Sequence, residues 1–179
     1  MTDHLHHSGC GCLQALSRRG VMGLGLSAAV VSASSMSFAA EPTAYEAMLM
    51  KCIDPRFTTF TWNYMSGQGL QNKYSQFNIA GGPIAAVAPV FADWRKAWWD
   101  NLEISVKLHS IKRVIGVVHR ECGAAAVAYG DKIKTDRTFE TAQLTEALQK
   151  YGAEVKQRHP TLGVSLGIMG LDGVVTPVT

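Results

Sequence analysis

Two short strings hold the residues of this chain best able to do chemistry: Cys52-Ile53-Asp54-Pro55-Arg56 and His119-Arg120-Glu121-Cys122-Gly123. Each closes an apolar, strand-like run. Together they offer two thiolates, an imidazole, and a carboxylate with a guanidinium two residues on. Two cysteines and one histidine suit zinc and leave one of its four tetrahedral positions open, the arrangement of a catalytic rather than a structural centre. A metal held this way lowers the pKa of bound water to about 7, so zinc-bound hydroxide is available at neutral pH. Asp54 can accept a hydrogen bond from that water and orient it. Arg56 can hold the Asp54 carboxylate in a two-pronged fork, ionised and off the metal. Pro55 between them stiffens the turn. His119 and Cys122 are three apart, so one tight turn can aim both, whereas Cys52 has to arrive from a neighbouring strand. The same two cysteines also permit a different reading: in an oxidising compartment a Cys52–Cys122 disulfide would staple a plain α/β domain.

The elements that must position these groups are legible in outline. Residues 47–53 and the β-branched run 114–118 read as buried strands, the second apolar on both faces as in a parallel sheet. Residues 75–80 read as a strand ending in the Gly81-Gly82-Pro83 turn, and 162–169 as a last strand before a turn at Gly170-Leu171-Asp172-Gly173. Residues 57–73 carry no clear period and read as loop with at most a short helix. Between Phe91 and Ser110, Trp94, Trp98, Leu102, Val106 and His109 recur near one helical turn, and Ala97, Ile104, Leu108 and Ile111 widen the apolar stripe. Residues 124–129 can form a short helix. A further helix is predicted over 138–156, with Leu144, Leu148, Tyr151 and Val155 on one side and Gly152 weakening its last third. Strands alternating with helices predict a single α/β domain with a mostly parallel sheet of about four strands flanked by helices. Ligands of such sheets bind at the carboxyl ends of strands, where Cys52 and His119 both fall.

The first 39 residues read as a segment to be removed. Ser17-Arg18-Arg19-Gly20 resembles a twin-arginine export signal, the weakly apolar stretch 21–31 follows, and Ser37-Phe38-Ala39 is a small-residue cleavage site. The expectation is recognition by the twin-arginine translocase, cleavage after Ala39, and a periplasmic product spanning residues 40–179. That route passes folded proteins, so a zinc–thiolate site could be loaded before export. His4, His6, His7, Cys10 and Cys12 form a metal-like tract that would leave with the signal. The apolar stretch is too short to span a bilayer stably. The whole chain has 17 Lys and Arg against 14 Asp and Glu. Removing Arg18, Arg19 and Asp3 leaves 15 and 13, a net +2 with no basic run interleaved with aromatics, which argues against nucleic acid as a partner. His109 and His159 could move protons, although His109 sits on an apolar stripe and reads as packed. Trp94, Trp98 and Trp99 read as core or subunit interface.

Cys-x-Asp-x-Arg at 52–56 with His-x-x-Cys-Gly at 119–123 resembles the zinc-site signature of the β-class carbonic anhydrases. The likeness extends along most of the chain after residue 40. Ile79-Ala80-Gly81 stands where that family has Asn-Ala-Gly. Asn101-Leu102-Glu103-Ile104 resembles its Ser-Leu-Glu-Tyr helix start, and Ile111-Lys112-Arg113-Val114-Ile115 the strand leading to its histidine. Ile79, Val118 and Arg120-Glu121 depart from the family pattern. The resemblance implies a β-carbonic-anhydrase-like fold, with Cys52, His119 and Cys122 as zinc ligands and Asp54 with Arg56 as the orienting pair. It implies a lyase that hydrates carbon dioxide reversibly to bicarbonate and works as a homodimer or higher homo-oligomer. Some relatives hydrolyse carbonyl sulfide or carbon disulfide at the same site, and a non-catalytic exported zinc-binding protein is the remaining alternative.

Overall fold

The computed structural model describes residues 44–179, so the expectations placed on residues 1–39 lie outside the described part. Ten regular elements carry the domain: β1 (Ala47–Lys51), α1 (Thr58–Gly67), β2 (Tyr74–Asn78), α2 (Pro83–Val87), α3 (Arg95–His109), β3 (Arg113–His119), α4 (Gly123–Tyr129), α5 (Arg137–Arg158), β4 (Gly163–Met169) and β5 (Val175–Val178). The sheet runs in the order β2-β1-β3-β4-β5. The first four strands are parallel and β5 returns antiparallel to β4. No helix among the described residues is long and apolar enough to cross a membrane.

The sheet therefore has one strand more than the four expected. β5 is short, contains Pro177 and sits at an edge. A proline inside a four-residue run argues against a strand by pattern, yet an edge strand tolerates it because one side of its backbone faces no partner.

β3 is central, and its residues from Val114 to His119 are all buried, which is why the run is apolar without alternation. One face of the sheet packs Met48, Met50, Val114 and Val118 against α2, α3 and α5, through Ile84, Trp98, Leu102, Leu144, Leu148 and Tyr151. The other face packs Leu49, Ile115, Val117 and Met169 against Phe57, Met65 and Leu70 around α1. The segment read as mostly loop, 57–73, thus contains a ten-residue helix. Its buried contacts are few, so its period is faint.

Two glycines set close approaches. A Cβ at Gly116 would lie 2.8 Å from the ring of Tyr151, and one at Gly152 would lie 2.9 Å from Leu166. Gly152 therefore does not end α5, which continues to Arg158; it lets the helix lie close on β4.

The helix expected from Phe91 begins as a 3-10 segment over Pro89–Trp94, with Phe91 outside helical geometry, and becomes α-helical only at Arg95. Its buried face is Trp98, Trp99, Leu102 and Ser105. Trp94, Ile104 and Leu108, counted in the apolar stripe by spacing, are exposed, because the stripe needed to cover the sheet is narrower than the apolar content allows.

Candidate metal centre

Three of the predicted site residues meet. The ligand atoms of Cys52, His119 and Cys122 all lie within 4.8 Å of one another, and all three residues are buried. Both cysteines are free thiols, so the disulfide reading does not hold. A tetrahedral zinc with bonds of about 2.3 Å to sulfur sets its ligands about 3.8 Å apart, a spacing that a cluster within 4.8 Å admits.

The fold brings them together for a simple reason. β1 and β3 are neighbours in parallel register, with Lys51 opposite Val117. Cys52, one residue past β1, therefore lies close to His119 at the end of β3. Cys122 follows at the start of α4. Between them Glu121 takes a left-handed backbone conformation, φ 55°, which reverses the chain and turns Cys122 back towards His119.

The imidazole is oriented by its other nitrogen. His119 Nδ1 lies 2.8 Å from the Arg120 carbonyl. A carbonyl can only accept, so Nδ1 carries the hydrogen and Nε2 keeps its lone pair. Nε2 is buried and has no hydrogen-bond partner. A buried polar nitrogen without a partner is costly, and a metal ion in this cluster removes that cost. Phe57 stacks on the ring with centroids 4.1 Å apart and fixes its plane.

The two thiols differ in acidity. The Cys52 thiol is drawn well below its ordinary range by a hydrogen bond from Cys122, against burial, with help from His119 and the backbone N–H of Gly81. That N–H donates to Cys52 Sγ at 3.2 Å. Cys122 is pushed upward by its bond to Cys52, by burial and by the charge of its neighbour. Two sulfurs this close favour one thiolate but not two without a cation, and a divalent ion reverses that balance.

Asp54 and Arg56 form the expected pair. The guanidinium grips the carboxylate through Nε, 3.1 Å from each oxygen, and through Nη2 at 2.8 Å from Oδ2. The backbone N–H of Arg56 donates to Oδ1 at 3.0 Å and caps the Pro55–Phe57 turn. The Arg56 side chain holds the Asp54 carboxyl below the usual carboxylate range. Oδ2 lies 3.9 Å from His119 Nε2, at the margin of the cluster. Arg56 also donates to the Glu121 carbonyl at 3.3 Å and pairs loosely with its carboxylate at 3.7 Å, so it ties the two motif loops together.

One residue that the sequence reading passed over supports this loop. Glu140, buried on α5, accepts the backbone N–H of Glu121 at 2.7 Å and the side chains of Arg120 at 3.0 Å and Arg137 at 2.7 Å. A signal existed: Glu140 lies one helical turn before Leu144, so it continues the stripe Leu144, Leu148, Tyr151 and Val155, and a carboxylate on a core stripe needs partners. The pairing also explains Arg120 between His119 and Cys122. Glu140→Ala is expected to destabilise the fold by about 3 kcal/mol, because it strands the half-buried Arg120 charge and the Glu121 N–H. It is also expected to weaken metal affinity roughly 10- to 100-fold. Denaturant unfolding and chelator competition measure the two effects.

A cavity of about 310 Å³, lined by Glu121, Cys122, Gly123, Ile133, Lys134 and Glu140, opens beside the cluster. The other two histidines among the described residues stay away from it. His109 ends α3 and stacks on Tyr45, which precedes β1. His159 follows α5 and pairs with Glu103 at 3.1 Å. Both lie at the amino ends of the strands, opposite the cluster. Trp98 and Trp99 are core.

No protein-family model matches the chain. It is 33% identical over 131 residues to an uncharacterized protein of Rickettsia bellii, covering 73% of this chain and 80% of that protein. It is 32% identical over 131 residues to an uncharacterized protein of Rickettsia conorii, covering 73% of this chain and 70% of that one. Among solved structures, a carbonic anhydrase from Glaciozyma antarctica superposes with a TM-score of 0.50 at 18% identity, over 77% of this chain and 84% of that one. The β-carbonic anhydrase CafD of Aspergillus fumigatus gives 0.51 at 10% identity, over 81% and 95%. The chain thus belongs to one family with the two rickettsial proteins, and its fold is that of the β-carbonic anhydrases.

Proposed function

We propose that the protein catalyses the reversible hydration of carbon dioxide to bicarbonate and a proton at a zinc ion held by Cys52, His119 and Cys122. One observation carries this reading. A buried Cys-His-Cys cluster with an unpartnered His119 Nε2 lies beside an arginine-clamped carboxylate at the carboxyl ends of two parallel strands. Zinc, when bound, supplies a Lewis acid that makes water nucleophilic near neutral pH. The chain's own residues do the rest. Cys52 and Cys122 as thiolates offset the charge of the ion. His119, held at Nδ1 by the Arg120 carbonyl, presents Nε2 in one orientation. Asp54 accepts a hydrogen bond from the attacking water at Oδ2 and so aims its lone pair. Arg56 keeps that oxygen ionised and occupied on its far side. Val118, Ile84, Ala85 and Ala88 give the cluster an apolar back wall, which suits an uncharged substrate and strengthens the electrostatics.

Asp54→Asn tests the pair directly. The variant is expected to keep its zinc and lose roughly 10²- to 10³-fold in the hydration rate, read by stopped-flow with a pH indicator and by metal analysis. Unchanged turnover removes Asp54 from the mechanism. Assays with carbonyl sulfide and carbon disulfide on the zinc-loaded protein complete the test. Turnover of either without carbon dioxide hydration reassigns the substrate on the same site, and full zinc occupancy with no turnover leaves a non-catalytic zinc binder.

We infer further that residues 1–39 direct twin-arginine export and are removed, that the remaining domain works in the periplasm, and that it assembles as a homodimer or higher homo-oligomer. The order of paired arginines, apolar stretch and small-residue site supports the first two. Amino-terminal sequencing of the periplasmic fraction and light scattering of the product test them.

A further inference from the structure

One peptide unit beside the metal centre is held at both ends. The carbonyl of Arg120 and the N–H of Glu121 belong to the same planar, trans group. The carbonyl lies 2.8 Å from His119 Nδ1 and accepts its hydrogen. The N–H points the other way and donates to Glu140 Oε1 at 2.7 Å. The two ends of a rigid plane turn together, so Glu140 fixes the direction of the carbonyl that fixes the imidazole. It does so from the first turn of α5, where it is buried. Its other oxygen, Oε2, takes Arg120 Nη1 at 3.0 Å and Arg137 Nη1 at 2.7 Å.

The same unit has a reason to turn over. Glu121 sits at φ 55°, a left-handed conformation that is costly for a residue with a side chain. Rotating the plane by about half a turn returns this φ to the ordinary negative side. The flanks stay in place, because the Arg120 N–H is anchored on the Met169 carbonyl at 3.0 Å and the Glu121 carbonyl on Arg56 at 3.3 Å. In the turned state the Glu121 N–H faces His119 Nδ1. A donor there makes Nδ1 the acceptor and moves the ring hydrogen to Nε2. Nε2 is the buried nitrogen without a partner, and with a hydrogen on it the ring has no lone pair for a metal. The direction of one peptide plane thus decides whether His119 is a ligand.

We propose that Glu140 is a positioning residue of the metal centre: through the Arg120–Glu121 peptide plane it holds His119 with the hydrogen on Nδ1 and the lone pair on Nε2. The proposal rests on the reading that Cys52, His119 and Cys122 hold zinc, but its main readout, the ring tautomer, is taken on metal-free protein and stands if that reading fails. Glu140→Gln is the informative change. The two guanidinium groups draw the single amide oxygen to the place of Oε2, which leaves the amide NH2 opposite the Glu121 N–H. Two donors then face each other, whereas a turned plane offers its carbonyl to that NH2.

Nitrogen-15 NMR of the histidine-labelled, zinc-free full chain in alkaline buffer reads the tautomer, with the His119 signals assigned by their loss in His119→Gln. The unaltered chain is expected to carry the hydrogen on Nδ1. Glu140→Gln is expected to move most of it to Nε2 and to weaken zinc binding at least roughly tenfold in chelator competition. A crystal structure of that variant is expected to show Glu121 outside the left-handed region. Adding Glu121→Gly, which removes the cost of the left-handed backbone, is expected to recover several-fold of the lost affinity. If Glu140→Gln does not fold, protein with Glu140 intact decides: Glu121→Gly alone is expected to keep the hydrogen on Nδ1 and to bind zinc at least as tightly as the unaltered chain, and weaker binding overturns the proposal. A hydrogen on Nε2 in the unaltered chain also overturns it. So does Glu140→Gln protein that keeps its tautomer or its zinc affinity and loses only stability, or that gains nothing from Glu121→Gly. An unaltered chain that binds no zinc removes the zinc reading and leaves the tautomer to decide this one.

Discussion

On the proposed function, His119→Ala protein is expected to purify with little or no zinc and to hydrate carbon dioxide at least roughly 10³-fold more slowly than the unaltered protein. The expectation follows from how the three ligands are held. Each comes from a different local structure: Cys52 from the end of β1, His119 from the end of β3, Cys122 from the start of α4. None can slide into the place of another. Removing the imidazole leaves two sulfurs, only one of which is held below its ordinary pKa without a cation, and only a weak site survives. Cys52→Ser is expected to lose metal to a similar degree, because a serine hydroxyl does not ionise to the thiolate that the ion selects. Inductively coupled plasma mass spectrometry and stopped-flow hydration report the two losses. A metal-free variant that keeps its activity removes the basis of the proposed chemistry. The loss should also show in stability. Phe57 rests on the imidazole, and truncating His119 leaves a void there, so chelation and His119→Ala should both lower the thermal midpoint.

The second large effect is expected at Gly82. Its backbone sits at φ 55°, ψ −125°, a region that side-chain-bearing residues rarely enter. A Cβ there would lie 2.8 Å from the carbonyl carbon of Lys51 and 2.9 Å from the nitrogen of Cys52. Both neighbours are backbone atoms of the peptide that closes β1, so neither can rotate away. Gly82→Ala is expected to cost about 3 kcal/mol or more, from the torsion and the overlap together. For a domain of this size that is a fall of roughly 10 °C or more in thermal midpoint. Metal affinity should fall with it, because the same turn presents the Gly81 N–H to Cys52 Sγ. Gly67→Ala provides the contrast: it lies in α1 with nothing within 4 Å of the added carbon, and it should be neutral or mildly stabilising. Scanning calorimetry of the two variants separates local strain from the general effect of losing a glycine. Equal midpoints would mean that the turn can shift away from β1.

The Cys52–His119–Cys122 cluster was legible because its residue types are rare and their spacing is local within each string. Cys52 and His119 also ended apolar runs, and the parallel α/β architecture puts strand ends together. The pairing of Asp54 with Arg56 was legible for the same reason, since two residues of separation fit a single turn. Strands β1 to β4 and α5 were readable from burial patterns: β3 is buried on both faces and apolar throughout, and α5 keeps one apolar side. The weaker readings share a cause. α1 buries few side chains and leaves little period. β5 is an edge strand whose proline offends no partner on its open side. Ile104 and Leu108 look like core by spacing, yet both are more than half exposed.

Residue types and short spacings by themselves determined the chemistry on offer here: two sulfurs, an imidazole and a clamped carboxylate. They also determined the class of fold that could gather them. Only the tertiary structure decided that the cysteines stay apart as free thiols, that Glu140 reaches back from α5 to hold the turn before Cys122, and that Lys51 is enclosed on the far face of the sheet beside the Cys52 carbonyl. The physical reason is range. A motif within a few residues is set by local torsions, whereas the partner of a buried charge is chosen by whichever distant element packs over it. That choice depends on the register of β1 against β3 and on the seating of two helices, α1 and α5, which no local pattern in the chain encodes.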